Sequence, residues 1–133
     1  MKHTYDLAYD PPIPVLQIRL FTPEWSLYTS LLSAIVDTGA DATLVPLHYL
    51  HEIEASVEGQ SGLRSQWGER RIVNLYLVDL EVEEITLPSV WVVGDDRSEE
   101  VVLGRNVINR LKILLDGPAA TSELINPSTR KYL

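Results

Sequence analysis

The chain has 133 residues, 45% hydrophobic and 23% charged, a balance that fits one compact domain over residues 1–133 and leaves no room for two. Eleven Lys and Arg against nineteen Asp and Glu give a formal net charge of −8, which argues against a surface built to neutralise nucleic-acid phosphates or anionic lipid. With no Cys and only three His (His3, His48 and His51), thiolate catalysis and Cys zinc sites are excluded, and carboxylates and hydroxyls remain as the available chemistry.

Residues Met1 to Asp6 carry no apolar signal core, and no stretch approaches the roughly 18 apolar residues of a membrane span, so a cytoplasmic protein without a membrane partner is expected. Pro14 to Phe21 alternates, with Leu16, Ile18 and Leu20 on one side and Gln17 and Arg19 on the other, the period of a half-buried strand. Thr22-Pro23-Glu24 reads as a turn, and Tyr28 to Val36 as a strand running into Asp37-Thr38-Gly39. Ala42 to Val45 is a second short apolar segment. Pro46 opens a helical turn through Leu47, Leu50 and Ile53. The polar, Gly-bearing stretch from Glu58 to Arg71 predicts a hairpin, and Ile72 to Val82 a strand bent near Leu77-Val78, where its alternation changes phase. Ile85 to Val93 is a strand whose Pro88 demands an edge or a bulge. Gly94 to Ser98 reads as a loop, and after Val101-Val102-Leu103-Gly104 the residues Val107, Ile108 and Leu111 keep a helical spacing that stops before Ile113-Leu114-Leu115. Asp116-Gly117-Pro118 is a turn. The whole reads as mainly β, with five or more short strands and one or two short helices.

Ile35-Val36-Asp37-Thr38-Gly39-Ala40-Asp41-Ala42-Thr43 resembles the active-site loop of the aspartic proteases. Val102-Leu103-Gly104-Arg105-Asn106 resembles the segment that packs behind that loop in the retroviral-type members. The Gly59 to Gly68 hairpin falls between the two, where that family places its flap. Together these cover about residues 16–115. The resemblance implies a small closed β-barrel working as a two-fold homodimer, with Asp37 catalytic, Thr38, Gly39 and Ala40 supporting its loop, and Asp41 paired with Arg105 behind the site. It also implies that Thr38 hydrogen-bonds across to the second loop, and that Gly62, Leu63, Trp67 and Gly68 belong to the flap. A glycine at position 39 lets the backbone approach the carboxylate with no Cβ in the way. The competing reading of Asp37-Thr38-Gly39 is a strand-end Asx turn without chemistry. A phosphoaspartate site is disfavoured, since the loop lacks the Lys or second Asp of those motifs.

Peptide hydrolysis needs a water made nucleophilic and a carbonyl made electrophilic, and two carboxylates sharing one proton can do both. Only one Asp-Thr-Gly is present, with no Asp-Ser-Gly, so a two-carboxylate site requires a second copy of the chain. The expected activity is an aspartic endopeptidase acting on peptide or protein substrates without a metal or other cofactor. The alternative is a proteolytically silent dimerisation or peptide-binding domain on the same barrel, suggested by the polar flap with Arg64, Arg70 and Arg71. The terminal segments, Tyr5 to Tyr9 and the tail after Pro118, are candidates for dimer strands, and residues 119–133 form an extension that the resemblance does not explain. His48 and His51 read as a solvated helix face, Asp95, Asp96, Glu99 and Glu100 as an exposed acidic loop, and Trp25 and Trp91 as core or dimer surface.

Overall fold

The computed structural model describes residues 1–64 and 68–126. In chain order its elements are β1 (Lys2–Thr4), β2 (Val15–Phe21), β3 (Leu32–Val36), β4 (Thr43–Pro46), α1 (Leu47–Glu52), β5 (Val57–Arg64) and β6 (Arg70–Val82). There follow β7 (Ile85–Asp95), β8 (Val101–Leu103), α2 (Arg105–Ile108), β9 (Ile113–Asp116) and β10 (Thr121–Leu124). Seven strands hydrogen-bond in the order β2-β3-β8-β4-β7-β6-β5, and an additional β2–β6 pairing closes the first six into a barrel with β5 outside it. Closure removes the free edges that an open sheet of this size would expose.

The alternation of β2 places Leu16, Ile18 and Leu20 inside with no exposed surface, and they meet Val45, Val78, Leu80, Val82, Val92, Leu103 and Val107 in one core cluster. Leu50 and Ile53, at the helical spacing after Pro46, are likewise fully buried. β3 begins at Leu32, four residues later than the apolar run suggests. The reason is Thr29, whose backbone N–H donates to Leu20 O at 3.0 Å while its Oγ accepts from Leu20 N–H at 3.1 Å. That local exchange pins residues 28–29 against the end of β2, and Tyr28 makes only a single bridge to Phe21.

The bend of β6 is a register shift between Val78 and Leu80, opposite the β7 segment that holds Pro88. Ser89 takes φ 53 there, and its N–H donates to the Asp79 carboxylate at 3.0 Å. The missing N–H of Pro88 thus falls within a bulge, and β7 continues unbroken to Asp95 between β6 and β4. The other Asp79 oxygen accepts from Trp25 Nε1 at 2.8 Å, and the Trp25 ring stacks on Phe21 with centroids 4.0 Å apart.

A second sheet gathers both ends of the described chain in the order β1-β10-β9. Within the chain the terminal pairing is made by Lys2–Thr4 and continues through Tyr5 N–H, which donates to Ala120 O at 2.9 Å, while Asp6 bridges to Ile13. β10, within the 119–133 extension, lies at the centre of this sheet, and its buried Ser122 hydroxyl donates to Val15 O, fastening the sheet to the barrel. Residues 127–133 lie outside the described residues. Among the described residues no helix is long and apolar enough to cross a membrane.

β8 pairs parallel with β3 and antiparallel with β4, and Gly104 follows it directly against the backbone of Ala42. A Cβ at Gly104 would stand 2.2 Å from Ala42 O and 2.4 Å from its carbonyl carbon. Because the obstacle is backbone, Gly104→Ala is expected to cost about 3 kcal/mol, the upper part of the usual overpacking range. Gly117→Ala, which meets nothing within 4 Å, should leave stability unchanged; urea midpoints of the two variants check both expectations.

Candidate active site

The three parallel pairs of β3 and β8, Ala34 with Val101, Ile35 with Val102 and Val36 with Leu103, extend one residue further through Asp37 N–H, which donates to Leu103 O at 3.1 Å. Asp37 is therefore the last residue held by the sheet. The chain then turns sharply, with Ala40 N–H donating to Asp37 O at 3.2 Å and Gly39 N–H to Asp37 Oδ1 at 2.9 Å. A Cβ at Gly39 would lie 3.1 Å from that same carboxylate oxygen, so glycine is what permits the close approach. The Gly39–Asp37 bond is an Asx turn, and it also aims the carboxylate. The competing strand-end Asx turn is thus the geometry present, and it leaves the carboxylate exposed. Asp37, Thr38 and Gly39 are exposed, on a strand end whose preceding residues Ala34, Ile35 and Val36 are buried.

The segment after β8 grips this loop from behind. Arg105 N–H donates to Ala40 O at 2.8 Å and Arg105 Nη1 to Thr38 O at 2.9 Å. The expected Asp41–Arg105 ion pair does not form: the guanidinium serves the Thr38 carbonyl, and Asp41 is exposed. An exposed ion pair is worth only about 0–1 kcal/mol, so a backbone acceptor fixed in a turn competes well for the same donor.

Two residues of these segments to which the sequence assigns no role hold the assembly together. Thr43 is fully buried; its Oγ donates to Asn106 Oδ1 at 2.7 Å and accepts from Gly104 N–H at 3.1 Å. Asn106 Nδ2 in turn donates to Trp91 O on β7 at 2.9 Å. The sequence signal for them is a threonine inside the apolar segment Ala42 to Val45 and an amide beside Arg105, since a polar side chain at a core position needs a partner.

The flap hairpin pairs Gly62 with Ile72, Leu63 with Arg71 and Arg64 with Arg70. Gly62 leaves space that the Arg70 guanidinium occupies, its Nη2 3.1 Å from where a Cβ would stand. Gly68 has φ +85, a conformation that favours glycine. Trp67 lies outside the described residues. The loop after β7 is not simply an exposed acidic one. Asp95 is 4% exposed, accepts from Arg97 N–H at 2.9 Å and pairs with Arg71 at 3.5 Å. Glu99 pairs with His48 at 2.9 Å. Trp25 and Trp91 are both partly exposed, at 43% and 46%.

Asp37 lines neither the cavity of about 440 Å³ beside His3, Glu83 and Leu124 nor the cavity of about 400 Å³ beside Leu63, Arg70 and Arg97. Its carboxylate sits on an open surface. Among the described residues no group of three or more His, Asp or Glu side chains converges on a metal site.

A scan against protein-family models and a search of curated proteins find no match. Among solved structures, the retropepsin-like aspartic protease from Rickettsia conorii is similar at a TM-score of 0.64, with 11% identity over 93% of this chain and 88% of that one. The foamy viral protease-reverse transcriptase, solved with an RNA/DNA hybrid, is similar at a TM-score of 0.53, with 19% identity over 74% of this chain. This chain covers only 12% of that protein's length. At such identities the likeness is one of fold, and the chain is a retropepsin-like β-barrel that carries its Asp-Thr-Gly loop at the end of β3.

Proposed function

We propose that this chain is one half of an aspartic endopeptidase, completed by a second copy related by a two-fold axis. The observation that carries the proposal is the exposed Asp37, its carboxylate aimed by Gly39 N–H and its own backbone N–H donating to Leu103 O, on a barrel of the retropepsin-like fold. A lone carboxylate on an open surface cannot both take a proton from water and give one to a carbonyl; a pair can. Two carboxylates about 3 Å apart repel by about 5 kcal/mol at an effective dielectric near 20, so the pair retains one proton and titrates as a unit. Aspartic proteases are the standard example of this sharing.

In the dimer, the ionised Asp37 takes a proton from a water as its oxygen attacks the peptide carbonyl carbon, while the protonated Asp37 of the other copy gives its proton to the carbonyl oxygen. The tetrahedral intermediate then breaks its C–N bond as the first Asp37 gives the proton it took from water to the nitrogen and the second takes one from a hydroxyl of the intermediate, releasing an acid and an amine with both carboxyls returned to their starting state. Substrates are extended peptides held under the hairpins through backbone hydrogen bonds.

The open edge of β9 supports a place for the two-fold contact. Among the described residues β9 pairs only with β10, and Leu114 and Leu115 are 52% and 46% exposed. An unpaired edge strand with apolar side chains is a template for another strand, and β9 against its symmetric copy would join two three-stranded sheets into one.

Asp37→Asn should lower cleavage of an unstructured protein by about 10³-fold or more, the scale of acid–base catalysis, and equal cleavage by both proteins would sink the assignment. Wild-type specific activity should rise with protein concentration through the dimer dissociation constant, and adding excess Asp37→Asn chain should quench it by forming mixed dimers. Leu115→Arg should weaken self-association by about tenfold or more, through the loss of a buried apolar side chain, with the far-ultraviolet circular dichroism of the barrel unchanged. Sedimentation velocity at several concentrations reads that shift directly.

A further inference from the structure

We infer that the groove beneath the hairpin selects acidic peptides, with Asp or Glu side chains of the substrate bound by the guanidiniums of Arg70 and Arg97. The inference rests on the peptidase reading for its setting, but the charge arrangement stands by itself. The chain carries a net charge of −8, yet Arg64, Arg70, Arg71 and Arg97 gather where the hairpin meets the loop after β7. Arg70, Arg71 and Arg97 line one open cavity of about 400 Å³ with Leu63, and Glu69 is its one acidic lining residue.

These arginines are not equivalent. Arg71 is neutralised by Asp95 at 3.5 Å and Asp96 at 3.2 Å. The guanidiniums of Arg70 and Arg97 pair with no carboxylate among the described residues, whose ion pairs involve His3, Arg19, His48 and Arg71. Arg64 sits directly across from Arg70 in the hairpin register, a like-charge pair that weakens a two-stranded ribbon. The absence of a Cβ at Gly62 lets the Arg70 guanidinium fold over the ribbon instead of extending into solvent. Two unpaired, forked donors beside an apolar Leu63 suit a carboxylate on a short apolar stem, which can accept both N–H groups of one guanidinium. A nucleic acid suits the surface poorly, because a polyanion meets the −8 of the whole chain, whereas one carboxylate responds to charges within a Debye length of roughly 8–10 Å.

The test is digestion of a randomised decapeptide pool by the full chain at high concentration, with the products sequenced. Wild type should enrich Asp or Glu about tenfold at one fixed position relative to the cut, the factor expected of a charged hydrogen bond. The enrichment should vanish in Arg70→Gln combined with Arg97→Gln, persist in Arg110→Gln, and weaken in Gly62→Ala, which displaces the Arg70 guanidinium without removing a charge. Cleavage with no acidic enrichment, or with enrichment that survives loss of both arginines, overturns the inference and leaves the peptidase reading intact. If wild type cuts nothing, the peptidase reading fails and binding decides. Fluorescence anisotropy of Asp37→Asn with a Glu-rich and a matched Gln-rich decapeptide should then show about tenfold tighter binding of the acidic one, dependent on Arg70 and Arg97. Equal binding, or displacement by an RNA oligonucleotide as effective as by unlabelled acidic peptide, overturns the inference.

Discussion

Residues 40–43 and 103–105 meet backbone to backbone, and the position of Asp37 hangs on that contact. The approach is closer than any side chain at Gly104 would allow, and it is tied by three separate hydrogen bonds, Arg105 N–H to Ala40 O, Arg105 Nη1 to Thr38 O and Gly104 N–H to Thr43 Oγ. Each bond alone is worth about 1 kcal/mol net. Their common effect is larger in one respect: the loop is held from the side opposite its exposed face, so the carboxylate is oriented without being covered. The polar chain from Gly104 through Thr43 and Asn106 to Trp91 O carries the same order into β7, in a partly buried region where an unsatisfied partner would be costly.

Much of this was legible in the residues because it is local. The alternation of Leu16, Ile18 and Leu20, the helical spacing of Leu50 and Ile53, the phase change in β6 and the bulge demanded by Pro88 each reflect neighbours within one element. The Asp-Thr-Gly and Gly-Arg-Asn triplets were also readable, since glycine at positions 39 and 104 marks close approach. What escaped was set by choices between partners distant in sequence. The start of β3 depends on Thr29 returning to Leu20, nine residues back. The Arg105 guanidinium chooses Thr38 O over the Asp41 carboxylate because a turn presents that carbonyl, and nothing in the spacing of the residues encodes the choice. Asp95 belongs to a charged run, yet it is buried because Arg71 on another strand neutralises it. Strands of three or four residues such as β1, β9 and β10 are too short to show a period.

The hairpin differs from the barrel in kind. β6 is 13 residues long; from Leu75 on it pairs with β7 as barrel wall, while among the described residues Arg70 to Asn74 pair only with β5, most of which is exposed. A two-stranded ribbon has little stability of its own, so this ribbon borrows its shape from the strand that continues into the core. Regions with few buried contacts open at the lowest free-energy cost. The barrel and its Asp37 loop form the rigid part, and the arginine-bearing ribbon the compliant one.

The sheet β1-β10-β9 has a consequence for synthesis. Its central strand, Thr121–Leu124, is the last strand of the described chain to be made, while its neighbour, Lys2–Thr4, is the first. Such a pairing closes a long loop and cannot form until Leu124 has been synthesised, after every strand of the barrel. The edge of β9 therefore acquires its backing strand only once all the strands of the barrel wall have been made. The terminal sheet is then laid onto a barrel that can already have closed, with Ser122 fastening the one to the other.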